Sequence, residues 1–295
     1  MKEELLRKYE THLVKMGKSA NTVAAYLRDA QAFETFLEKK NKETAGITQT
    51  VVVSYVLGLK KSGSSPSTIN RRVSSLRTYF EFLKAGGVLE ENPAKGLKLP
   101  RTPRKAPEFL TTEEMERLLQ APDANRLGCM RLRDRALIEL MYATGIRASE
   151  VVDLKISDVN LKIGFVICAA GEKSRMVPLG KPAKKAVSTY IKEGRYQLLG
   201  ETDSEALFLN THGEALTRQG LWRILKANAE KAGITKDMTP QLLRNTFAVH
   251  MLQNGADLRS LQEMMGHAEI SATEVYLEAL KVHIKDVYEK AHPRA

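Results

Sequence analysis

The sequence predicts a mainly α-helical chain with one small antiparallel β-sheet: an N-terminal helical bundle followed by a larger α+β domain. Three observations carry that prediction. Apolar residues recur at helical spacing through most of the 295 residues. Strand-like text around a tight turn occurs once, in F-V-I-C, G-E-K-S and R-M-V-P-L. Between the two kinds of text lies a proline-rich basic stretch without an acid, the composition of an extended connector. The expected division is residues 1–93 as a helical domain, 94–107 as linker and 108–295 as the second domain.

The first domain reads as four or five helices. Ser19 caps one whose inward face is Val23, Tyr26, Leu27, Ala30, Phe33 and Leu37, and a second apolar run spans Val51 to Leu59. After K-S-G-S-S-P, Ser65 caps a helix with Pro66 in first position and Ile69, Val73, Leu76, Phe80 and Leu83 inward. Arg71, Arg72 and Arg77 are left on its other faces, where arginines among Ser and Thr suit phosphate and groove contacts. Leu110, Thr111, Glu114 and Met115 have the pattern of a staple and capping box and open the second domain. Helical text to about Leu154 holds Arg147 and Glu150 one turn apart. The hairpin follows, with a short strand expected near Lys155. Helices resume after Pro182, and Thr217 to Ala229 carries Arg218 and Trp222.

Charge is unevenly placed. The net charge is +11, and residues 1–107 hold 20 Lys and Arg against 10 Asp and Glu, whereas the remainder is nearly balanced. Such asymmetry points to a phosphate-rich partner for the first domain. Cys129 and Cys168 lie in apolar text with no metal-ligand spacing around them, so they read as buried thiols. No apolar run approaches a membrane span, and Met1 to Leu6 carries glutamates where a signal peptide would be apolar. A cytoplasmic protein without a membrane partner is expected.

The densest stretch is Thr239 to Tyr276, which reads as three short helices carrying an arginine, two histidines and a tyrosine. Thr239 and Pro240 start the first, with Leu243, Phe247, Met251 and Leu252 as its stripe, and Asn254 and Gly255 end it. The second begins near Asp257, buries Leu258, Leu261, Met264 and Met265, and stops at Gly266. His267 follows the stop. Ser271 and Glu274 read as a capping box, which sets Tyr276 in the opening turns of the third helix, where the amide dipoles favour an anion.

T-P-Q-L-L-R-N-T-F-A-V-H-M-L-Q-N-G-A-D-L and M-M-G-H-x8-Y, together with A-T-G-I-R-A-S-E at 143–150, R-M-V-P-L-G at 175–180 and the closing H-P-R-A, resemble the tyrosine recombinases of the phage integrase family, most closely the Xer type. The resemblance covers nearly the whole chain. It implies a DNA-gripping helical bundle and a catalytic domain that together exchange strands between specific DNA sites, as in resolving chromosome or plasmid multimers. It implies double-stranded DNA with specific half-sites as partner, and four protomers on two duplexes, all alike or paired with a related recombinase. Each protomer would pass its C-terminal helix, Leu277 to Lys290, to a neighbour. Arg71, Arg72, Arg77, Arg218 and Trp222 would contact DNA.

Phosphoryl transfer needs a nucleophile, neutralisation of the non-bridging oxygens and a proton for the leaving oxygen. No acidic cluster of the kind that holds Mg²⁺ stands out, and two arginines offer a metal-free substitute, so no cofactor is expected. Arg147 and Arg244 would clamp the scissile phosphate, Tyr276 would attack it, and His267 would donate a hydrogen bond to it. Two positions depart from the family pattern. Gln241 stands where His-x-x-Arg has its histidine, and Ala170 stands at the first hairpin lysine. Glutamine cannot move a proton at neutral pH. Lys173 would replace the hairpin lysine as general acid, although an offset of three residues along a regular strand would place it on the other face. The alternatives are a mobile-element integrase, which the chain's small size disfavours, and a recombinase-fold DNA-binding protein with impaired cleavage.

Overall fold

The computed structural model describes residues 2–97, 99, 106–122, 128–170 and 173–291, with only the backbone described at 2, 170, 173 and 282–291. The chain divides into two compact units, Met1–Arg104 and Lys105–Ala295.

The first unit is built from α1 (Lys2–Lys15), α2 (Ala20–Lys39), α3 (Gln49–Lys61) and α4 (Pro66–Ala85), with a 3₁₀ turn at Thr44–Gly46. Ser19 and Ser65 act as the expected N-caps, each accepting from the amide three residues on. The inward stripes interlock around Phe33, Tyr79 and Phe80, all fully buried. One buried carboxylate, Glu34, accepts from the Tyr79 hydroxyl at 2.7 Å, which satisfies both groups inside the core. Ala94 is buried here too, and Arg77 donates to the carbonyls of Ala94 and Leu97. The first residues read as linker are thus fastened to the bundle; residues 98 and 100–105 lie outside the described residues.

The second unit opens with α5 (Thr112–Gln120), where Thr111 and Glu114 form the capping box reciprocally. α6 (Gly128–Thr144) crosses the core, and α7 (Ala148–Asp153) follows a sharp turn at Gly145. The sheet has the order β1 (Val159–Asn160), β2 (Phe165–Ala170) and β3 (Lys173–Pro178), all antiparallel. Lys155 makes an isolated bridge to Ala206, and the short strand lies a few residues later than expected. The hairpin strands also extend further, so that Ala170 and Lys173 pair directly. Residues 170 and 173 form one cross-strand pair, and position 173 alternates in step with 175 and 177. α8 (Lys181–Thr189) continues through a π-helical turn (Tyr190–Arg195) into α9 (Tyr196–Leu199), and α10 (Arg218–Lys231) starts at the Thr217 cap. Both cysteines are buried free thiols, with that of Cys168 pushed up to about 11 by burial.

α11 (Pro240–Gln253), α12 (Leu258–Met265) and α13 (Ser271–Ala291) complete the unit. α11 is buried on every side from Leu242 to His250, not along one stripe. The last helix is not short. It runs unbroken for 21 residues, so Tyr276 and the segment from Leu277 onward share one helix. Nor does the expected Ser271–Glu274 box form: the Ser271 hydroxyl donates to Glu269, and the Glu274 amide to the Ile270 carbonyl. Among the described residues no helix is long and apolar enough to cross a membrane.

Candidate active site

Three consecutive carbonyls organise the site. α12 ends at Gly266, whose φ of 62° is the left-handed stop its sequence signalled, and the turn leaves the last carbonyls of the helix without backbone partners. Arginines take them. Arg175 Nε donates to Met264 O at 2.6 Å, Arg244 Nη2 to Met265 O at 2.6 Å, and Arg147 Nη2 to Gly266 O at 2.7 Å. A helix C-terminus carries partial negative charge, which favours guanidinium groups there. The cations therefore gather from β3, α11 and the start of α7 at one point.

Glu150 is the carboxylate that bridges two of them. It accepts from both terminal nitrogens of Arg175 at 2.6 and 2.9 Å, from Arg147 Nη1 at 3.0 Å and from the Arg147 amide at 2.8 Å. Burial works against its charge, but these hydrogen bonds and the two cations outweigh it and keep its pKa below the usual carboxylate range. The motif A-T-G-I-R-A-S-E is thus a folding instruction. Gly145 makes the turn at φ 56°, where an added Cβ would lie 2.2 Å from the Phe247 ring, and its carbonyl accepts from Arg244. Arg147 then begins α7, and Glu150 reaches back to its amide.

Arg244 is 3% exposed and Tyr276 4% exposed. Burial first, then the charge of Arg147, brings the Arg244 guanidinium down to about 10. Burial raises the Tyr276 phenol, against which the charge and hydrogen bond of Arg244, the charge of Arg147 and a hydrogen bond from Gln241 all favour the phenolate. Gln241 also donates to Asn245 Oδ1 at 2.9 Å. His267 completes the group: Nε2 lies 3.0 Å from Arg244 Nη2, Nδ1 lies 2.9 Å from Thr273 Oγ1, and its ring is stacked 6.3 Å from that of Tyr276. Burial, then Arg244, Arg147 and Arg175, lower its pKa to about 4, so the imidazole is neutral at pH 7.

Three cations, Arg147, Arg175 and Arg244, against the carboxylates of Glu150 and Asp153 leave an excess of positive charge at the site. A singly charged phosphodiester and its more highly charged transition state suit such a place. The open face is a cavity of about 710 Å³ lined by Arg147, Glu150, Ser174, Arg175 and His267 among others. Arg244 and Tyr276 are not among its lining residues.

The structure brings together Arg147, Arg244, His267, Gln241 and Tyr276. The Lys173 side chain lies outside the described residues; its backbone begins β3. Arg71, Arg72 and Arg77 sit in the first unit, where each already has a partner. Arg71 binds Asp29 in a fork at 2.7 and 3.0 Å, Arg72 approaches the same carboxylate at 3.9 Å, and Arg77 holds Ala94 and Leu97. Arg218 at the start of α10 and Trp222 are both exposed, with Lys226 4.8 Å above the Trp222 ring. The second histidine of the Thr239–Tyr276 stretch, His250, is structural. Its Nε2 donates to Leu110 O at 2.9 Å and its Nδ1 accepts from the Tyr142 hydroxyl at 2.8 Å, which pins α11 to the entry of the domain.

Sequence reading missed Arg175, the part of Glu150 and Thr273. The signal for the first two was a charge inside each quoted motif; for Thr273 it was a polar residue one turn before Tyr276.

Two family models match the chain: the phage integrase family over residues 108–283 and the phage integrase N-terminal SAM-like domain over 6–87. Tyrosine recombinase XerD of Oceanobacillus iheyensis is 42% identical over 286 residues, covering 96% of this chain and 95% of the relative. XerD of Staphylococcus aureus is 39% identical over 295 residues, covering 99% and 98%. Among solved structures, XerA recombinase matches with a TM-score of 0.55 at 26% identity over the full length of both chains. The XerH site-specific recombinase in a post-cleavage complex with a palindromic difH substrate matches at 0.76 and 23%, covering 90% of this chain and 78% of that one, a likeness of fold.

Proposed function

Because the chain belongs to the phage integrase family, we propose that it is a site-specific tyrosine recombinase of the XerD kind, which cuts and rejoins DNA strands at specific sites through a phosphotyrosine. The observation that supports this most directly is the convergence of Arg147, Arg244 and His267 on the buried Tyr276. Whole-length likeness to XerD relatives does not favour a mobile-element integrase or a cleavage-impaired binder.

In the proposed reaction the scissile phosphate enters the cavity beside Arg147 and draws the arginine donors onto its non-bridging oxygens. α13 must carry Tyr276 outward for in-line attack, since the phenol is buried in the present arrangement. The Tyr276 phenol releases its proton to solvent water as its oxygen bonds to phosphorus, the bond to the 5′ oxygen breaks, and that oxygen takes a proton to leave as a hydroxyl. The 3′-phosphotyrosyl bond stores the energy for religation, so neither ATP nor another cofactor enters the balance. Lys173 is the residue proposed to give the proton; Gln241 holds the phenol by a hydrogen bond and moves none. Arg71, Arg72, Arg77, Arg218 and Trp222 are proposed as contacts to the duplex, with residues 94–107 connecting the two domains. The duplex carries specific half-sites, and protomers assemble as four on two duplexes. The cytoplasm is the proposed location.

The test is a nicked suicide duplex carrying a site selected from random sequence. A covalent protein–DNA adduct should form with the natural chain and be absent with Tyr276→Phe, while DNA affinity is retained. An adduct of equal yield in the Phe variant overturns the assignment.

A further inference from the structure

Arg147 and Arg175 share Glu150 unequally. Arg175 forks onto it, Nη1 to Oε1 at 2.6 Å and Nη2 to Oε2 at 2.9 Å, and its Nε donates to Met264 O. Arg147 gives the carboxylate one guanidinium hydrogen bond, Nη1 to Oε1 at 3.0 Å, and gives a second to Gly266 O. Of the five N–H donors of a guanidinium, the protein therefore engages two in Arg147 and three in Arg175. Exposure follows the same order: 36% of the Arg147 side chain is in solvent, against 12% for Arg175 and 4% for Glu150.

Gly266 makes the fork of Arg175 possible. A Cβ added there would lie 3.0 Å from Arg175 Nη1 and 3.1 Å from its Cδ, so the residue whose carbonyl holds Arg147 admits Arg175 by having no side chain. Without Arg175, both oxygens of Glu150 would be open to the guanidinium of Arg147, which stands three residues before it on the same turn. A bidentate fork is the arrangement that guanidinium and carboxylate favour, and a buried carboxylate left with one cation instead of two would hold that cation more tightly. Closing such a fork would turn two Arg147 donors away from the cavity.

We propose that Arg175 is a positioning residue: by occupying the fork of Glu150 it keeps Arg147 from closing on that carboxylate and leaves the Arg147 donors to the phosphate. The effect on rate rests on the recombinase reading; the placement of Arg147 belongs to the DNA-free protein. Arg175 comes from β3, Glu150 and Arg147 from α7 and its cap, and Met264 and Gly266 from the end of α12. No member of the group lies on α13, so Tyr276 can move outward with the fork intact.

The test uses the full-length chain in two arms. In crystals without DNA, Arg175→Met should show Arg147 forked on both oxygens of Glu150 in place of its bond to Gly266 O. With the selected nicked duplex, Arg175→Met should slow single-turnover cleavage roughly hundredfold at unchanged DNA affinity, the size of a lost donor to a developing oxyanion. Adding Glu150→Gln removes the charge that captures Arg147 and should return roughly tenfold of that loss, since neutralising both members of a buried pair leaves no charge unmatched. A mere strut between β3 and α12 would not be repaired by a second loss. Arg175→Lys, which keeps the charge without the fork, should cleave at a rate between those of the natural chain and the Met variant. The proposal is overturned by an unmoved Arg147 in the Met variant, by a folded Met or Lys variant as fast as the natural chain, or by a double variant no faster than Arg175→Met. DNA affinity that falls as far as the rate would overturn it too, making Arg175 a phosphate contact. If the natural chain forms no adduct with any selected site, the recombinase reading fails and the crystal arm decides the placement of Arg147 by itself.

Discussion

Arginines in the two units are held in opposite ways. In the first unit Arg71 spans Asp29 with half of its side chain in solvent, and Arg77 ties down the chain that follows its helix. In the second, Arg147, Arg175 and Arg244 meet at the end of one helix around one carboxylate, with Arg244 out of solvent altogether. The excess of basic residues lies in residues 1–107, yet the concentrated positive charge lies in the half that is nearly neutral overall. Net charge therefore points to a surface suited to a polyanion, and tells nothing of where cations are concentrated enough to suit a single phosphate. That needs a few cations forced together, and the cost of their repulsion is met by helix-end carbonyls and Glu150.

The comparison breaks most visibly at Arg244. Arg244→Ala should lower single-turnover cleavage by about a thousandfold, the size seen when one preorganised donor to a developing oxyanion is removed. Its effect on the salt dependence of DNA binding should stay within about one unit of slope. Should affinity fall as far as cleavage does, the two sets of arginines do one job and the distinction fails.

Next in size is Gly145, which serves the site only through the backbone. An alanine there meets a positive φ and the Phe247 ring together, so Gly145→Ala should cost about 3 kcal/mol of stability, read by urea unfolding. A loss under 1 kcal/mol would mean that Phe247 yields, and the turn is then not what sets Arg147 beside Arg244.

How far the site was legible follows from such residues. Gly145, Arg147, Arg244, His267 and Tyr276 sit at turns and helix positions whose spacing is local, so short motifs disclose them. The β-hairpin and the caps at Ser19, Ser65, Thr111 and Thr239 are local in the same way. Arg175 was hidden because its partners are 25 and 89 residues away, on elements whose packing no periodicity foretells. The false capping box at Ser271 has a different, local root: Glu269, only two residues earlier, takes the hydroxyl. Pairing of 170 with 173 needed the register, and register depends on where the turn begins.

A third measurement concerns His267, which no carboxylate among the described residues contacts. Its pKa is about 4 in the folded chain against 6.5 ordinarily, so between those values the unfolded chain holds a proton that the folded one lacks. Stability from this group is complete above pH 6.5 and is lost as pH falls toward 4. Comparing urea unfolding of the natural chain and His267→Gln at pH 7 and pH 4 should attribute about 2 kcal/mol of the acid loss to this residue, allowing for solvent screening. Equal losses in both chains would mean that neither burial nor the arginine cluster holds the imidazole's pKa down.

The smallest effect is the most exacting for the first unit, because Arg71 has two possible duties. Asp29 is 5% exposed, and without Arg71 it would face a poorly compensated burial, with Arg72 at 3.9 Å its remaining cation among the described residues. Half of the Arg71 side chain is in solvent, so the loss in Arg71→Ala should be about 1 kcal/mol, well below that of a fully buried pair. Asp29→Asn in the same chain should return most of it, since the amide needs no counter-charge. DNA binding then separates the duties. If Arg71 also meets a phosphate, the double variant regains stability but keeps a salt slope lower by about one unit. If the slope returns with the stability, Arg71 is a brace for α2 and α4, and contact with the duplex falls to Arg72, Arg77 and their neighbours.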